Sequence, residues 1–386
     1  MGLSVDMKIV VNGVSAKSGG AATYIQNLVE SVSRLGEDYE FVFCVPEGFA
    51  PRQPNGIGAR IVESSVGRQS AWRRLWWDQV TLRALVRKEK ADVLVSSSDF
   101  GLLLPPCKQV LLLRNALFFS RLYMRQFLPR KSLRNRVDFW MRHWLVRLSV
   151  RRADVIVTAT ASMLSEAREF VSVPPGKAVI NPFGVPLSRF RPTVKASREG
   201  FRLLHVSEYA DYKNLGTLLE AMRILARRED GDAHLTTTAD PTQFPDVEIP
   251  GRDTDALLAR EAVQTGNVTF VGGVPYSEIS VLYTQSDAFI FPSLVESFGH
   301  PLVEAMASGL PVIASDIPVH REVCGEAALY FNPLDPEALA DVVTQIRGNS
   351  ALRMRMAITG RERAAALFDW TEHVRRLAEM LRNVCV

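Results

Sequence analysis

The sequence is poor in the features that mark disulfide-rich, zinc-binding and membrane-spanning proteins. Its four cysteines, Cys44, Cys107, Cys324 and Cys385, are scattered and form no CxxC pair. We therefore expect reduced thiols, and neither a disulfide framework nor a zinc site. The longest apolar stretch, residues 101–119, is interrupted by two prolines, a lysine and an arginine. No segment approaches the ~20 apolar residues that a membrane-spanning helix needs.

The first residues and the histidines also lack functional patterns. Residues 1–6 show no basic segment followed by an apolar one, so we expect no secretory signal peptide and a cytoplasmic protein. No histidine occurs before His143, and no two have the spacing of metal ligands, such as His-x3-His. We expect four of them to be structural. These are His205, His234, His320 and His373.

What the chain does have is an ordinary globular composition with unevenly distributed charge. Of its 386 residues, 47% are hydrophobic and 23% are charged, which is typical of a globular protein with two domains. Residues 1–185 hold 26 Lys and Arg against 15 Asp and Glu, a net charge of +11, and residues 186–386 hold 20 against 27, a net charge of −7. The basic half would suit anionic lipid, nucleic acid or an acidic substrate.

Strand-like and helix-like segments alternate along the chain, which predicts an α/β fold with parallel sheets. Buried-strand patterns occur at residues 7–12, 40–45, 92–96, 109–113, 154–158, 202–206, 234–238, 268–272, 288–291 and 311–314. Proline and glycine cluster at residues 179–192, which indicates a linker. We therefore predict two doubly wound Rossmann-like domains, residues 1–185 and 186–370, facing across a cleft. A C-terminal helix within residues 371–386 would return to the first domain.

The most informative stretch is residues 292–312, which joins a strand-like run to a helix-like segment. It contains Glu296 and Glu304, eight residues apart, with Gly299 and Pro301 between them. A carboxylate accepts hydrogen bonds from paired hydroxyls, and the backbone N–H groups at a helix N-terminus favour phosphate. The pattern therefore fits a ligand that carries both sugar hydroxyls and phosphates, namely a nucleotide sugar.

Several further segments around this stretch occur in a characteristic order. They are Val-Thr-Phe-Val-Gly-Gly-Val-Pro from Val268, residues 283–287, residues 292–312 and Leu-Tyr-Phe-Asn-Pro-Leu-Asp-Pro-Glu-Ala-Leu from Leu329. This order resembles that of the family-4 glycosyltransferases of the GT-B fold, and residues 153–186 resemble their domain junction. A bare E-x7-E pair is weak evidence, but in this context it is specific. The resemblance implies retaining transfer of a sugar from a nucleotide donor, with no cofactor and no obligatory metal. The acceptor would be a hydroxyl of a glycan or lipid-linked molecule in cell-envelope or polysaccharide biosynthesis.

The resemblance also implies roles for individual residues toward the donor. Glu296 would bind hydroxyls of the donor sugar, and Glu304 would bind the nucleotide ribose. Lys213 would pair with the diphosphate and stabilise the leaving group. The other donor-binding positions are glycines, which allow a close approach because they have no Cβ, or backbone amides. They are Gly19, Gly20, Phe298, Gly299 and Leu302.

Two places depart from the family's pattern. Glu208 stands five residues before Lys213, where the family usually has an arginine, so Lys213 would act alone or with another cation. Arg114 and Asn115 stand where many members have a His-Asp pair. Either could bind a sugar hydroxyl or the β-phosphate, but neither serves as a base at neutral pH. We predict Glu296, Lys213, Arg114 and Asn115 as the catalytic positions.

Each of these features also has a simpler interpretation. Both glutamates and Lys213 could be solvated surface side chains, and the glycine pair could be only a tight turn. His300 could be functional or a rim residue. The Asp-x-Asp sequences at residues 230–232 and 253–255 match a metal motif of the other major glycosyltransferase fold. Their polar settings favour solvated loops, and we predict no metal.

A basic, tryptophan-containing stretch lies in the first half of the chain. Residues 121–152 carry ten Lys and Arg and one acid, with Phe139, Trp140 and Trp144 among them, and residues 72–77 are similar. A helix with arginines on one side and Trp, Leu and Val on the other would suit the anionic inner face of the plasma membrane. Alternatively, the aromatic residues are core and the arginines are solvated. No nucleic-acid-binding module is recognisable, so nucleic acid is not an expected partner.

Three other function classes compete with glycosyl transfer. The residues at positions 208, 114 and 115 are compatible with a protein that binds a nucleotide sugar without turnover. A sugar-nucleotide epimerase could use the same fold. A basic interaction protein that binds nucleic acid would show binding with a steep salt dependence.

Overall fold

The computed structural model describes residues 7–16, 19–32, 35, 38–49, 59–192, 200–228, 232–244 and 254–385. The chain forms two compact units: unit 1 comprises Met1–Phe183 and Thr371–Val386, and unit 2 comprises Gly184–Trp370. The predicted boundary after residue 185 lies two residues from this division. Each unit contains a parallel sheet with helices, so the predicted α/β class is confirmed.

Unit 1 is built on a seven-stranded parallel sheet in the order β3-β2-β1-β4-β5-β6-β7. The strands are β1 (Met7–Asn12), β2 (Tyr39–Pro46), β3 (Ala59–Ser64), β4 (Val93–Ser96), β5 (Lys108–Leu113), β6 (Val155–Thr158) and β7 (Ala178–Ile180). The helices between them are α1 (Gly19–Val32), α2 (Ala71–Trp77), α3 (Arg83–Lys88), α4 (Leu133–Arg152) and α5 (Ala161–Arg168). The strand order reverses between β1 and β4, and ligands of doubly wound sheets bind at such a switch point.

Central strands of unit 1 are largely apolar because helices cover both faces of the sheet. Ile9, Val10 and Val11 of β1 are buried, as is every residue of β4. On the neighbouring strand β2, the rings of Phe41 and Phe43 stack with centroids 5.7 Å apart. Because these strands are buried along most of their length, they were predictable from the sequence.

Unit 2 is built on a six-stranded parallel sheet in the order β10-β9-β8-β11-β12-β13. The strands are β8 (Phe201–His205), β9 (Ala233–Thr237), β10 (Val268–Phe270), β11 (Ala288–Phe291), β12 (Val312–Ser315) and β13 (Ala328–Phe331). The helices are α6 (Leu215–Arg227), α7 (Asp255–Thr265), α8 (Ile279–Thr284), α9 (His300–Ala307), α10 (Pro318–Cys324), α11 (Pro336–Gly348) and α12 (Ser350–Leu367). Here the strand order reverses between β8 and β11, which are paired directly.

The last helix, α13 (Trp370–Cys385), passes from unit 2 into unit 1. Within unit 1, His373 at its start donates from Nδ1 to Pro182 O at 2.9 Å, and its Nε2 lies 3.2 Å from Tyr24 Oη. The Asn181 amide donates to His373 O at 3.2 Å. Leu377 and Leu381 are buried on the same helix. The helix is therefore an integral part of unit 1.

Three strands were absent from the predicted series: β3, β7 and β13. The edge strand β3 has no fully buried residue and carries Arg60 and Glu63, and the edge strand β7 has three residues. Edge strands face solvent on one side and lack the continuous apolar run of central strands. In the described part of the chain, no helix has the length and apolarity needed to cross a bilayer.

Candidate functional site

The loops after β8 and β11 lie side by side at the carboxyl edge of the unit 2 sheet, because the two strands are paired. The amide of Leu294 donates to Tyr212 O at 2.8 Å, and the Asn214 amide group donates to Pro292 O at 3.1 Å. These bonds join two segments that are far apart in the sequence and were each expected to bind the donor. One contains Lys213, and the other contains Glu296.

Asn214 directs the chain at this point. Its backbone is left-handed, with φ of 59° and ψ of 35°, a conformation that asparagine tolerates better than most residues. Its side chain donates to Pro333 O at 2.6 Å as well as to Pro292 O, and its Oδ1 accepts a bond from Thr217 Oγ1 at 2.9 Å. One buried side chain thus fixes the turn between Lys213 and α6.

Lys213 and Glu296 form an ion pair, with Nζ and Oε1 2.5 Å apart, and both side chains are mostly buried. The ammonium also lies 5.5 Å from the ring centroids of Tyr212 and Phe291. Burial acts to lower the pKa of Lys213, but the charge of Glu296 opposes it, and the pKa is raised overall. The carboxyl edge therefore carries a fixed cation next to a carboxylate.

Glu208 lies close enough to this pair to contribute to the raised pKa of Lys213. The hydroxyl of Ser207 donates to its carbonyl oxygen at 2.8 Å. The position that the family usually gives to an arginine thus adds negative charge near the lysine. This is the opposite of a second phosphate-binding cation.

The turn into α9 requires glycine at position 299. Its φ is +83°, and a Cβ there would lie 2.9 Å from Leu302 Cδ1. The Leu302 amide, one of the predicted phosphate-binding groups, donates within this turn to Gly299 O at 3.0 Å. Phe298 is buried, and its ring packs 5.2 Å from that of His300 and 5.5 Å from that of Phe368. His300 is therefore half-buried against the turn.

Glu304 is buried in the second turn of α9. The hydroxyl of Tyr283 donates to its Oε2 at 2.8 Å, and Tyr276 also hydrogen-bonds to the carboxyl group. Burial raises the pKa of Glu304 to about 7, and the hydrogen bonds from the two tyrosines oppose that rise. The carboxyl group is thus already bound by two hydroxyl groups.

Arg189 completes this network. Its guanidinium lies 4.8 Å from the ring centroid of Tyr276, and its charge acts against the raised pKa of Glu304. Sequence reasoning assigned no role to Arg189, Tyr276 or Tyr283. Tyr283 stood in the quoted segment 283–287, but nothing in the sequence indicated that it faces a carboxylate 21 residues away.

Two buried histidines stand near the ion pair and are neutral. His205 Nδ1 lies 2.9 Å from Thr237 Oγ1, and His320 Nδ1 lies 3.0 Å from Ser315 Oγ. Burial, with a contribution from the charge of Lys213, lowers the pKa of His205 to about 3 and that of His320 to about 4. Each is fixed through its Nδ1, while its Nε2 is buried without a hydrogen-bond partner.

In unit 1, Arg114 contacts the glycine turn at the start of α1. Its Nη2 donates to Gly20 O at 2.9 Å, and its guanidinium lies 4.6 Å and 5.0 Å from the ring centroids of Tyr24 and Phe183. Gly19 has a φ of +59°, which favours glycine. The structure thus brings two predicted site positions together, Arg114 and the Gly19–Gly20 turn, and the Arg114 side chain fixes that turn.

Asn115 lies beside Arg114, just beyond the carboxyl end of β5. The amides of both residues donate to Asp99 Oδ1, at 2.8 Å and 3.0 Å. Asp99 is buried, which raises its pKa, while these backbone bonds oppose the rise. Asn115 Oδ1 accepts a bond from the Leu117 amide at 3.1 Å. The backbone of this loop is therefore fixed by one buried carboxyl group.

The Asp-x-Asp sequences have other partners where they are described. Asp232 pairs with Arg347 at 2.8 Å, and Asp255 accepts a bond from the Tyr209 hydroxyl at 3.0 Å. Asp230 and Asp253 lie outside the described residues. Among the residues that are described, no group of three or more His, Cys, Asp or Glu could hold a metal ion.

Only the second part of the basic stretch 121–152 forms the predicted helix. Helix α4 starts at Leu133, after a π-helical turn at Tyr123–Phe127. Its buried face contains Phe139 and Val146, while Trp140 and Trp144 are 48% and 58% exposed. Trp140 and Trp144 share the exposed side of the helix with Leu133 and Val137, which are 73% and 49% exposed, at the spacing of one helical face. The expected grouping of Trp with Leu and Val is therefore present on this helix. The alternative, in which the aromatic residues are core, holds for Phe139 and is wrong for the two tryptophans.

Trp72 and Trp76 of α2 are also exposed, at 53% and 65%. Together with Trp140 and Trp144, they give unit 1 four exposed indole rings on two arginine-containing helices, α2 and α4. Exposed tryptophans are uncommon on a soluble surface and mark contact sites. We refer to these four residues as the tryptophan surface.

Two family models match the chain, one for each unit. The model described as a glycosyl transferase 4-like domain matches residues 19–184. The model described as glycosyl transferases group 1 matches residues 189–363. The gap between them falls at the division between unit 1 and unit 2.

Curated relatives and solved structures agree with this assignment. The chain is 46% identical over 79 residues to an O-antigen chain mannosyltransferase of Salmonella typhimurium, a match that covers 20% of this chain and 22% of that protein. Related mannosyltransferases and glycogen synthases are matched over about half of their lengths or less. The chain thus spans about half the length, or less, of these curated relatives.

Two solved structures resemble the chain over nearly its whole length. A sucrose-phosphate synthase from Thermosynechococcus elongatus gives a TM-score of 0.75 at 19% identity, covering 98% of this chain and 99% of that one. An Anabaena protein solved in complex with UDP-glucose gives 0.69 at 15% identity, covering 98% and 100%. At this identity the likeness shows the fold alone, and the predicted GT-B fold is confirmed.

Proposed function

We propose, since the chain belongs to the family-4-type glycosyltransferases of the GT-B fold, that it transfers a sugar from a nucleotide-sugar donor to an acceptor hydroxyl. The related O-antigen chain mannosyltransferase supports a glycan or lipid-linked acceptor in cell-envelope or polysaccharide biosynthesis. We further propose that the transfer is retaining and uses no cofactor.

The observation that carries the proposal is the mostly buried ion pair of Lys213 and Glu296 at the switch point of unit 2. A diphosphate at this edge would accept hydrogen bonds from the lysine protons that Glu296 does not use. The second carboxylate oxygen of Glu296 would accept bonds from sugar hydroxyls. Negative charge grows on the leaving diphosphate as the glycosidic bond breaks, and a fixed cation stabilises that charge.

The two histidines described near the ion pair are not suited to act as bases. His205 and His320 are buried, and the predicted catalytic positions Arg114 and Asn115 do not accept protons at neutral pH. We therefore propose that the acceptor proton moves to an oxygen of the leaving diphosphate. The bond from the anomeric carbon to the diphosphate breaks, and a bond to the acceptor oxygen forms on the same face of the sugar.

Glu304 is proposed to bind the nucleotide ribose. The hydroxyls of Tyr283 and Tyr276 already bind its carboxyl group, which supports its capacity to accept bonds from a pair of hydroxyls. Tyr276 lies in the loop after β10 and is only partly buried, so a ribose would take its place at the carboxylate. Tyr283 is fully buried and would keep the carboxylate oriented.

In unit 1, the proposed task of Arg114 is to position the turn at Gly19 and Gly20. Its bond to Gly20 O fixes the backbone next to a glycine with positive φ. A glycine pair held in this way would leave backbone amides available to an anionic or hydroxylated substrate. Asn115, directly after it, would present its amide group to the acceptor.

We also propose a peripheral location on an anionic membrane, at the inner face of the plasma membrane. The tryptophan surface and the surrounding arginines support this proposal, since indole rings and cations both favour the interface. No nucleic-acid partner is proposed. A lipid-linked acceptor would be reached from this position.

The proposal is tested by calorimetry with nucleotide sugars, followed by mass spectrometry of the products. We expect one donor, to be sought first among mannosyl and glucosyl nucleotides, to bind and to be hydrolysed slowly to free nucleotide. Glu304→Ala should weaken binding of the same donor and of its nucleotide by at least about tenfold. Unchanged binding in that variant would contradict the proposal. Recovery of an epimerised donor as the product would show that the reaction is epimerisation and not transfer.

A second candidate function is favoured by one observation, the negative charge of Glu208 near Lys213. A carboxylate there weakens the stabilisation of a leaving diphosphate, as in a protein that binds the donor without turnover. Glu208→Arg distinguishes the two. An enzyme would keep or gain turnover in this variant, whereas a binding protein would show none in either form across a broad acceptor panel.

A further inference from the structure

Unit 1 contains a cavity that the donor does not account for. Its volume is about 290 Å³, near the lower end of small-molecule pockets. It opens beside Asn115, beyond the carboxyl end of β5, where ligands of α/β sheets bind. The cavity is framed by the loop after β5 and by the first turns of α4.

One wall of the cavity is aromatic and rigid. Phe118 and Phe139 are buried, with ring centroids 5.7 Å apart, and Tyr123 lies 5.5 Å from Phe139. Behind them, His143 Nδ1 lies 2.8 Å from Phe118 O and ties the loop to α4. This wall is part of the core of unit 1 and does not need a ligand to form.

The opposite wall is polar and positive. It contains two amides, Asn115 and Asn135, and the charged side chains Lys131, Asp138 and Arg142. Asp138 pairs with Arg142 at 2.9 Å, one turn apart on α4. Two cations stand against one carboxylate, within a stretch that holds ten Lys and Arg and a single acid. The cavity therefore favours an anionic group that also carries hydrogen-bond acceptors.

The Asp138–Arg142 pair also borders a second space, a shallow groove on its other side. Besides this pair, the groove is lined by the charged side chains Arg74 and Asp78. Its apolar lining residues are Trp72, Leu75, Phe100 and Leu145. Its exposed lining is almost entirely apolar, and Trp72 belongs to the tryptophan surface. A polar cavity and an apolar groove thus meet at one ion pair.

We propose that unit 1 binds an amphiphile with an anionic, phosphate-type head group in the cavity and a hydrocarbon chain in the groove beside Trp72. Charge complementarity selects the head group, and the apolar lining selects the chain. This proposal rests on the proposed function in one respect, since the amphiphile would be the lipid-linked acceptor. The binding itself requires no donor and is tested without one.

The first test is calorimetric titration of the full chain with decyl phosphate below its micelle concentration. Inorganic phosphate and decyl maltoside serve as the comparison ligands. We expect decyl phosphate to bind once per chain, at least tenfold more tightly than either comparison ligand. If inorganic phosphate binds with equal affinity, the hydrocarbon chain contributes nothing and the groove is not part of the site. If decyl phosphate does not bind, the proposal is wrong.

The second test locates the head group and the chain. Lys131→Gln should weaken decyl phosphate at least tenfold, while Arg125→Gln, an exposed cation of the same stretch, should not. A decyl phosphate brominated at the chain end should quench tryptophan fluorescence less in Trp72→Phe than in Trp144→Phe. Trp144 is similarly exposed but lines neither space. Equal effects within either pair would place the ligand elsewhere.

The outcomes distinguish a discrete amphiphile site from general membrane contact and from the proposed function. Quenching that requires anionic vesicles and falls with Trp144→Phe would show membrane contact in place of a discrete site. Urea denaturation of each variant reports its folding, and the wild-type titration does not depend on any variant. A chain that binds decyl phosphate but neither binds nor turns over a nucleotide sugar would overturn the proposed function alone.

Discussion

Lys213 shows how one side chain depends on its immediate neighbours. Its position is fixed by Asn214 on the chain and by Glu296 across the edge of the sheet. The proposed role needs a positive charge at this point and nowhere else in the loop. The side chain is therefore the most direct test of the chemistry.

We expect Lys213→Ala to lower donor turnover by about 10²-fold, because a preorganised charge that faces the leaving group is lost. Steady-state release of free nucleotide measures the effect. Lys108→Ala is the matched control, since that lysine pairs with Asp154 on the surface at 3.6 Å and should leave turnover unchanged. Similar rates for both variants would mean that Lys213 does not act on the leaving group.

Glu304 makes the stability of the fold depend on pH. Burial raises its pKa to about 7 from an ordinary value of 4.5, so the folded state holds the proton more tightly than the unfolded chain does. The stabilisation is complete below pH 4.5 and is lost as the pH rises through 7. Relative to Glu304→Gln, wild type should lose about 3 kcal/mol of unfolding free energy between pH 4.5 and pH 8.

Urea denaturation of the two proteins across this pH range measures the difference. Because Asp78 and Glu166 also have raised pKa values, to about 7 in each case, only the difference between wild type and variant is informative. Glu326→Gln, which removes an exposed carboxylate, should show no such trend. A constant difference between wild type and Glu304→Gln would contradict the assignment.

At the scale of elements, a close contact between two backbone segments can require glycine at a particular position. Gly184 lies where the start of unit 2 passes its own last residues, and Val185 N donates to Phe368 O at 2.9 Å. A Cβ at Gly184 would lie 2.4 Å from Trp370 Cα and 2.7 Å from Asp369 O. Backbone atoms cannot rotate away as a flexible side chain does.

We expect Gly184→Ala to destabilise the protein by about 2 to 3 kcal/mol, because overpacking against backbone forces the chain apart. Gly348→Ala is the control. That glycine ends α11, and a methyl group added there would have no atom of the described chain within 4 Å, while alanine favours the helix by up to about 1 kcal/mol. Urea midpoints measure both, and coincident midpoints would exclude the steric conflict.

The elements also show what sequence can and cannot reveal. Central strands such as β1 and β11 were predictable because burial on both faces leaves a continuous apolar run. Local motifs singled out Lys213, Glu296 and Glu304, and their roles toward a donor stay predictions. Their partners were not predictable: the Lys213–Glu296 contact spans 83 positions, and the Tyr283–Glu304 bond depends on how α8 packs on α9. Such contacts follow from topology, which a local pattern does not contain.

At the scale of the whole molecule, charge and exposed tryptophan are concentrated in the same half of the chain. Residues 1–185 carry a net charge of +11, and the tryptophan surface belongs to unit 1. A cation near an anionic leaflet contributes ~1 kcal/mol, and salt screens that attraction. The proposed membrane contact therefore has both an electrostatic and an apolar component.

We expect the protein to sediment with vesicles that contain phosphatidylserine and to remain in solution with vesicles of phosphatidylcholine alone. Binding should fall at least ~tenfold between 0.05 M and 0.5 M salt, since the Debye length shortens. Replacing Trp140 and Trp144 together by Ser should weaken binding at both salt concentrations. Equal binding to neutral and anionic vesicles would exclude the electrostatic part of the proposal.

Asn214 gives the molecule a last property. Its side chain joins three separate segments, through Pro292, Pro333 and Thr217, and these come together only when β8, β11 and the end of β13 have all taken their places. The lysine beside it is therefore held in its native position only in chains where these segments have met. Nucleotide affinity, followed during refolding, would then report completion of this sheet, and partly assembled chains would carry no functional cation.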